Sequence, residues 1–371
     1  MGNNNSKGRV LMAMSGGVDS SVAAILLKEA GYDIVGVTMK TWDYALGGNA
    51  AKETGCCNLD TINDARTVAV NLGFPHYVID LRKEFYDGIV KNFIEEYMRG
   101  HTPNPCVLCN VLIKWEALLK RADMLHCHFI ATGHYARIGY KNDRYIISKG
   151  IDHSKDQTYV LWGLSQQNLE RTLMPLGNYN KEHVKELARQ HNFVDIAQKK
   201  ESYEICFIPD DDYRRFLTEN VQDINQKIGE GPFVDAQGHK IGTHKGYPFY
   251  TIGQRKGLKV AVGHPLYVKH IHAETNTIVL CKKEELLSSE MHVKNINMIK
   301  YDTLPAEGLR ALIKVRYKDK GMTGMLIPQG ADTVKVLFDK PVSAVTPGQS
   351  AVFYEKDDLI GGGIIEKNDK S

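Results

Sequence analysis

The sequence lacks any run of about 18 apolar residues, the length that a membrane-spanning helix requires. The stretch from Met1 to Arg9 is mostly polar and has no apolar core of the kind that a secretory signal carries. These two absences predict a cytoplasmic protein that makes no contact with a membrane. Hydrophobic residues make up 43% of the 371 positions, which allows a large core and excludes a disordered chain.

An excess of one charge is also nearly absent. Lys and Arg number 47 and Asp and Glu 44, which gives a formal net charge of +3. So small a surplus neither requires nor excludes a nucleic acid partner, and the distribution of charge along the chain matters more. The seven cysteines are an odd number, and we interpret them as reduced thiols because no export signal accompanies them. Any functional cysteine is therefore expected to be catalytic or metal-binding.

Up to about residue 208 the chain alternates short apolar runs with helical patterns. The predicted strands and helices are, in order, Val10–Met14, Asp19–Ala30, Ile34–Met39, Asp60–Leu72, His76–Asp80 and Phe129–Thr132. Strands separated by helices of this length indicate an α/β fold with a doubly wound, mainly parallel sheet. Ligands of such sheets bind beyond the carboxyl ends of the strands.

After about residue 208, glycine and proline become frequent and separate short runs that favour strands. Examples are Pro265–Ile271, Thr277–Leu280, Leu309–Tyr317, Thr333–Phe338 and Ser350–Tyr354. Many short strands at close spacing predict small barrels or sandwiches, and the number of runs suggests two. We therefore expect three domains, at residues 1–208, 209–281 and 282–371.

A loop rich in glycine and serine, Ser15-Gly-Gly-Val-Asp-Ser-Ser21, lies between the first predicted strand and helix. Its glycines allow a tight turn in which successive N–H groups point at an anion. Ser20 and Ser21 offer hydroxyl donors beside the positive end of the helix dipole. The loop has neither the Gly-Lys-Ser/Thr of a Walker A motif nor the spacing of a dinucleotide-binding turn. We interpret it as a phosphate loop of another kind.

This loop resembles the SGGxDS motif of the PP-loop, or N-type ATP pyrophosphatase, superfamily, whose members split ATP into AMP and pyrophosphate to adenylate an oxygen. The resemblance implies ATP and Mg²⁺ as cofactors, with Asp19 helping to place Mg²⁺. Met39 would lie on the adenine or ribose side, although a methionine in a strand is as readily a core residue. The backbone of Gly133 would approach the nucleotide closely. The implied nucleotide-binding positions are Ala13, Met14, Ser15, Gly16, Gly17, Val18, Asp19, Ser20, Met39 and Gly133.

Two cysteines are candidate nucleophiles. Cys109 follows a loop stiffened by Pro103 and Pro105, and we expect a helix to begin near Asn110. At a helix N-terminus the dipole would lower the pKa of the Cys109 thiol and raise its thiolate fraction. Cys206 lies at the junction between the α/β region and the β-rich half.

Each cysteine also has a less specific interpretation. Free cysteines are often small buried hydrophobic residues, and we expect this of Cys127 and Cys281. Cys106 and Cys109 form a C-x-x-C, which is half of a structural zinc site. No second C-x-x-C is evident, because Cys56 and Cys57 are adjacent in sequence.

A series of motifs narrows the resemblance to one family. SGGVDSS, TPNPxxxCN, ATGHYAR, SKDQTYVL, EICFIP, TIGQRKGL, VTPGQSAVFY and GGGII occur in this order from Ser15 to Ile365 and span nearly the whole chain. Together they resemble the tRNA-specific 2-thiouridylases, which replace O2 of the wobble uridine with sulfur in certain tRNAs.

The family resemblance implies a role for each matching position. Cys109 matches the catalytic nucleophile and Cys206 the cysteine that carries a persulfide. Asn104, Pro105 and Cys106 match the part of the loop that touches the target base. The positions implied to contact tRNA are His134, Lys155, Asp156, Gln157, Arg316, Tyr317 and Gln349. One position departs from the pattern: most family members have Asp where this chain has Cys106, and a thiol is a poorer acid or base than a carboxylate at neutral pH.

A long basic stretch marks the expected RNA-binding region. From His239 to Ala273 there are six Lys or Arg and no Asp or Glu, and four aromatic residues are interleaved with them. Basic sequence with aromatics is typical of RNA contact, although a charge run is commonly just a solvated face. The basic residues are Lys240, Lys245, Arg255, Lys256, Lys259 and Lys269, and the aromatics are Tyr247, Phe249, Tyr250 and Tyr267.

The resemblance implies adenylation of the uridine O2, with release of pyrophosphate, and then sulfur transfer from a Cys206 persulfide to C2. Cys109 would resolve the persulfide, either through a disulfide with Cys206 or by releasing sulfide. The partners would be the anticodon arm of a tRNA and a sulfur-donor protein. Three alternatives stay open: another adenylating enzyme, a zinc-stabilised RNA-binding module, and a nucleotide-binding redox sensor that uses Cys106 and Cys109.

Overall fold

The structure is a computed structural model that describes residues 6–42, 59–199 and 205–367. It divides into two compact units. The first comprises residues 1–89, 106–211 and 357–359, and the second comprises residues 90–105, 212–356 and 360–371. Cys56 and Cys57, which are adjacent and form no second C-x-x-C, lie outside the described residues.

A parallel sheet forms the centre of the first unit, with strand order β3-β2-β1-β4-β7. Its strands are β1 (Arg9–Ala13), β2 (Asp33–Lys40), β3 (His76–Asp80), β4 (Phe129–Ala131) and β7 (Thr172–Leu173). An antiparallel hairpin, β5 (Ala136–Lys141) and β6 (Arg144–Lys149), follows β4. The carboxyl ends of β1 and β4 lead directly into the phosphate loop and into Gly133, so the sheet brings these two segments to the same edge.

The first unit also contains several helices. They are α1 (Val18–Glu29), α2 (Leu59–Leu72), α3 (Arg82–Phe85), α5 (Pro105–Cys109), α6 (Leu118–Met124), α7 (Gln166–Glu170), α8 (Lys181–Gln190) and α9 (Val194–Gln198). Two stretches, Tyr86–Val90 and Asn110–Ala117, are π-helical. Val10, Met12, Val22 and Ile25 are fully buried in the core between strand and helix. Burying each such side chain contributes about 1.5–3 kcal/mol.

The second unit begins with α4 (Lys91–Met98), α10 (Tyr213–Asn220) and α11 (Ile224–Lys227). Phe93 of α4 packs on Phe216 of α10 at 5.9 Å between ring centroids. A four-stranded sheet follows, in the order β10-β11-β8-β9. Its strands are β8 (Gly231–Val234), β9 (Lys240–His244), β10 (Tyr267–His272) and β11 (Thr277–Cys281). Phe233, Val268 and Ile278 are buried at its centre.

A closed six-stranded barrel completes the second unit, because β12 pairs with both β15 and β17. Its strands are β12 (Leu287–Met298), β13 (Leu309–Lys314), β14 (Met322–Pro328), β15 (Val334–Ser343), β16 (Ser350–Glu355) and β17 (Asp358–Ile365). The predicted fold class, a mainly parallel α/β sheet followed by two small β-barrel-like domains, is confirmed.

Candidate active site

The phosphate loop leaves β1 at Ala13 and enters α1 at Val18. Gly16 has φ +70°, and a Cβ at this position would lie 2.1 Å from the carbonyl oxygen of Thr61, so only glycine fits. Gly17 occupies the N-cap position of α1, and it has no side chain that could accept a hydrogen bond from the first N–H groups of the helix. The first N–H groups of α1 therefore have no side-chain acceptor at Gly17, which suits an anion such as the phosphates of ATP.

Serine hydroxyls hold the loop together. Ser20 and Ser21 each donate to the carbonyl oxygen of Gly17 at 3.0 Å. Ser20 Oγ also accepts from the backbone N–H of Ser15 at 3.1 Å. The sequence suggested that both hydroxyls face the anion, but the structure uses them within the loop. The backbone N–H groups remain as the candidate phosphate ligands.

Two further predicted nucleotide positions lie next to this loop. A Cβ on Gly133 would come within 2.9 Å of the backbone of Asp19 and Ser20, so the glycine permits β4 to meet the start of α1. Met39 is partly buried in β2, and its neighbour Thr38 donates to the carbonyl oxygen of Met14 at 2.9 Å. The close approach of Gly133 is thus to the loop backbone itself.

Asp19 is the acidic residue of the loop, and a buried lysine contacts it. Lys181 Nζ donates to both carboxylate oxygens at 2.7 and 2.8 Å, and the Tyr135 hydroxyl donates to Oδ1 at 2.7 Å. The Lys181 side chain is 6% exposed and that of Asp19 is 35% exposed. The contact of Lys181 with Asp19 was not predicted from the sequence, because the two residues lie 162 positions apart.

The cysteine helix begins earlier than the sequence suggested. α5 starts at Pro105, where the fixed φ of proline suits the first helical position. Cys106 thus occupies the first turn, and Cys109 is the last residue of α5, where the helix continues as a π-helical stretch. The prediction that Cys109 sits at a helix N-terminus is wrong, and the argument from the dipole falls away because that effect is confined to the first turn.

Cys106 is exposed and Cys109 partly so. Although the residue as a whole is exposed, neighbouring protein atoms desolvate the Cys106 thiol and raise its pKa, and the nearby Lys114 opposes this rise. A thiol with a raised pKa is mostly protonated at neutral pH, which does not favour Cys106 as the attacking sulfur. Cys127 and Cys281 are each 3% exposed, as predicted.

Cys206 is exposed at the surface of the first unit. The next residue, Phe207, is buried and packs on Phe85 at 5.6 Å and on Trp42 at 6.0 Å between ring centroids. Phe85 ends α3, and the π-helical turn that follows contains Gly88, which lies against Leu112. Leu112 lies three residues after Cys109, in the second π-helical stretch. The segments that carry both candidate thiols thus pack against residues 82–90.

The predicted tRNA contacts of the first unit occupy different environments. His134 is buried, with Nδ1 2.8 Å from Thr132 Oγ1, and burial together with Lys114 holds its pKa well below the usual value. Gln157 Oε1 accepts from the Tyr135 N–H at 2.9 Å, and Asp156 accepts from Thr158. Lys155 lines an open cavity of ≈ 420 Å³ together with Asp152, Ser154, Asn180, Lys181, Glu182 and Lys185.

In the second unit, Arg316 and Tyr317 are exposed between β13 and β14. Asn104 is partly buried and Pro105 is buried. Gln349 is partly buried, and its side-chain Nε2 donates to the carbonyl oxygens of Thr102 and Pro103, both at 3.0 Å.

The basic stretch from His239 to Ala273 has charged side chains outside and aromatic ones inside. Its lysines and arginine at 240, 245, 255, 256 and 259 are exposed. Tyr247 and Phe249 are only 7% and 8% exposed, and Tyr250 packs on Phe233. The predicted stacking role is therefore wrong for Tyr247 and Phe249, which serve the core, whereas the positive charge is available to a polyanion.

Within residues 6–42, 59–199 and 205–367, no group of three or more His, Cys, Asp or Glu side chains could hold a metal ion. In the same ranges, no helix has both the length and the apolar character to cross a bilayer.

Comparison with known proteins identifies the family. Protein-family models described as a tRNA methyl transferase HUP domain, a tRNA methyl transferase PRC-barrel domain and an aminomethyltransferase beta-barrel domain match residues 8–210, 215–282 and 288–365. The tRNA-specific 2-thiouridylase MnmA of Amoebophilus asiaticus is 56% identical over 98% of this chain and 96% of that protein. The chain belongs to the tRNA-specific 2-thiouridylase family. The MnmA protein of Cytophaga hutchinsonii is 53% identical over 98% of this chain and 99% of its own length.

Membership of the 2-thiouridylase family confirms the resemblance that the ordered motifs indicated. The phosphate loop and both candidate thiols of this 2-thiouridylase family member lie within the region matched by the first model, residues 8–210.

Proposed function

We propose that this protein synthesises 2-thiouridine in tRNA, with ATP activating the base and a cysteine persulfide supplying sulfur. One observation carries the proposal: a single compact unit combines an uncapped helix start after a glycine loop with two solvent-accessible thiols. The first feature suits phosphate binding, and the second suits a nucleophile that must receive sulfur from outside. The family relationship supports the same pairing.

ATP would bind the loop from Ala13 to Ser20, where Gly16 and Gly17 allow the tight turn that successive N–H groups need in order to face an anion. ATP would supply an adenylyl group that makes the uridine O2 part of a leaving group, AMP. Mg²⁺ would enter with the phosphates, and Asp19 is the carboxylate placed to help hold it. Lys181 keeps this carboxylate oriented.

The reaction we propose conserves atoms and electrons at each step. The uridine O2 attacks the α-phosphorus and pyrophosphate leaves, giving an adenylated base. The terminal sulfur of a Cys206 persulfide then attacks C2, and the C2–O2 bond breaks to release AMP. The Cys109 thiolate attacks the Sγ of Cys206, which leaves sulfur on C2 and forms a Cys109–Cys206 disulfide. A thiol reductant restores the two cysteines for the next turnover.

The tRNA would bind through its anticodon arm, and the target uridine would leave the base stack to reach Asn104, Pro105 and Cys106. Lys155–Gln157, Arg316 and Tyr317 would contact the RNA further out. We propose that the exposed basic residues of the stretch from His239 to Ala273 add non-specific phosphate contacts. A sulfur-donor protein would load Cys206 with the persulfide sulfur.

We also propose that the chain divides into domains at residues 1–208, 209–281 and 282–371, and that the protein is cytoplasmic.

Mass spectrometry of tRNA nucleosides tests the proposal. We expect 2-thiouridine in tRNA treated with the wild-type protein, ATP and a persulfide donor, and none with Cys109→Ser or Cys206→Ser. Both variants should bind ATP normally, because neither residue belongs to the phosphate loop. Cys127→Ser is the matched control in the same unit, since serine can keep the bond to the Leu125 carbonyl oxygen. Thiolation by either nucleophile variant would exclude the two-thiol scheme.

Nucleoside masses, together with a measurement of pyrophosphate released in response to tRNA, separate the alternatives. A methyltransferase, which the names of two family models mention, would add a methyl group rather than exchange oxygen for sulfur, and the nucleoside masses differ. An adenylating ligase would release pyrophosphate without needing both cysteines. A redox sensor or a binding module would release no pyrophosphate in response to tRNA.

A further inference from the structure

The loop that precedes the cysteine helix is held by a distant turn of the C-terminal barrel. The backbone N–H of Thr102 donates to the carbonyl oxygen of Pro347 at 3.0 Å. Gly348 has φ +88°, and a Cβ there would lie 3.0 Å from both the Thr102 carbonyl oxygen and the Cβ of His101. Glycine therefore allows this turn to approach the loop backbone directly.

Gln349 completes the contact. Its single side-chain nitrogen donates to two consecutive carbonyl oxygens, those of Thr102 and Pro103, at 3.0 Å each. The backbone of Gln349 is itself anchored, because its carbonyl oxygen accepts from the Ile365 N–H at 2.8 Å. The N–H of Gly348 in turn donates to the Ile365 carbonyl oxygen at 3.0 Å. The amide thus extends from backbone that directly precedes β16 and is bonded to the last residue of β17, rather than from a free loop.

We propose that Gln349 is a positioning residue that clamps the loop Thr102–Pro105, and this rests on the proposed function. Two donor bonds to adjacent peptide groups fix both the position and the rotation of the chain at that point. Pro103 and Pro105 then limit the remaining backbone freedom. The clamp would set the place of Asn104 and Pro105 against the target base, so Gln349 acts through these residues and not by binding RNA.

Two variants separate the clamp from a direct RNA contact. Gln349→Met keeps the length of the side chain and removes both donors, and Gln349→Glu keeps its shape but faces the carbonyls with an acceptor. Gln329→Met and Gln329→Glu are the matched controls, since Gln329 is exposed on the same barrel and its side chain bonds only His292 among the hydrogen bonds described.

The first measurement needs neither tRNA nor ATP. In the full-length protein, hydrogen exchange of the Thr102 amide should accelerate in both Gln349 variants and stay unchanged in the Gln329 controls. The Ile365 amide should stay protected, which shows that the barrel is folded. Unchanged protection of Thr102 in a folded Gln349 variant would overturn the clamp.

The second measurement is single-turnover thiolation at saturating tRNA. Losing two hydrogen bonds at the loop should slow this rate about tenfold or more, while the Kd for tRNA stays within about twofold. The rate of Gln349→Glu relative to wild type should recover as the pH falls, because a protonated carboxyl regains a donor, whereas Gln349→Met should not recover. A weaker Kd with an unchanged rate would overturn the proposal and assign Gln349 to RNA contact.

The two measurements also keep this inference apart from the proposed function. If wild-type protein thiolates no tRNA, the proposed function fails although Thr102 exchange can still show the clamp. If wild-type protein is active and both Gln349 variants match it in rate, the positioning role fails alone.

Discussion

The ion pair beside the phosphate loop allows a quantitative test of how that loop is held. Lys181→Met removes an ammonium that donates to both oxygens of Asp19 at 2.7 and 2.8 Å. The carboxylate keeps the Tyr135 hydroxyl at 2.7 Å and, being 35% exposed, also keeps access to solvent. The methionine fills most of the volume of the lysine stem, so the change is mainly one of charge.

The exposure of the two side chains sets the expected magnitude. Removing one partner of a fully buried pair destabilises a protein by about 3–5 kcal/mol, whereas exposed pairs contribute about 0–1 kcal/mol. Because Asp19 is partly solvated and keeps one hydrogen bond, we expect Lys181→Met to lower the free energy of unfolding by about 2–3 kcal/mol. Asp19→Asn leaves the 6% exposed ammonium without its carboxylate and should be at least as damaging. The double variant should lose about 2 kcal/mol less than the sum of the two.

Tryptophan fluorescence during urea unfolding is the assay, because Trp42, Trp115 and Trp162 all lie in the first unit. The signal therefore reports the unit that contains the ion pair. Lys185→Met is the matched control: its side chain is 29% exposed on the same helix and pairs with the 81% exposed Glu182. We expect the control to change stability by less than about 0.5 kcal/mol. Strictly additive losses, or equal losses for Lys181→Met and Lys185→Met, would refute the reasoning.

Three further predictions concern the nucleotide, the pH and the RNA. Gly133→Ala pushes a Cβ into the backbone at the start of α1 and should weaken ATP binding about tenfold in calorimetry, whereas Gly139→Ala, with ordinary contacts, should not. Because the pKa of His134 is lowered in the folded state, the unfolded chain takes up the proton first, so stability should fall as the pH drops below about 6.5. His134→Gln should flatten that fall in urea titrations. Arg316→Gln should lower the slope of log Kd for tRNA against log salt by about one, and the ion-paired Arg310→Gln should leave it unchanged.

Much of the fold could be predicted because its signals are local. His76–Asp80 has the same bounds in the sequence analysis and in the structure, and the first strand differs by a single residue at each end. The phosphate loop was found because its glycines and the helix that follows are adjacent in sequence. The hairpin after β4 was missed, since Ala136–Lys141 and Arg144–Lys149 are only partly apolar and show no clear period.

The parts of the site that escaped prediction depend on residues far apart in the chain. The sequence around Asp19 contains no pattern that predicts its contact with Lys181. The sequence around Gln349 likewise does not predict its contact with Thr102, which lies 247 positions away. The helix Pro105–Cys109 begins earlier than predicted, because proline is as well suited to a first helical turn as it is to a stiff loop. The burial of Tyr247 and Phe249 was not predicted, because composition alone does not show whether an aromatic side chain stacks on a base or packs in the core.

The two parts of the proposed chemistry make opposite demands, and the structure meets each in a different place. Activating an oxygen requires donors that are already oriented, since their reorganisation would add to the barrier. Gly133 and Lys181 hold the start of α1 from two sides, so the phosphate loop is organised before any nucleotide arrives. In the proposed scheme sulfur comes instead from another protein, which requires a thiol that a partner can reach. Cys206 meets this demand, because its side chain is exposed while Phe207 anchors it in the aromatic cluster of Trp42 and Phe85.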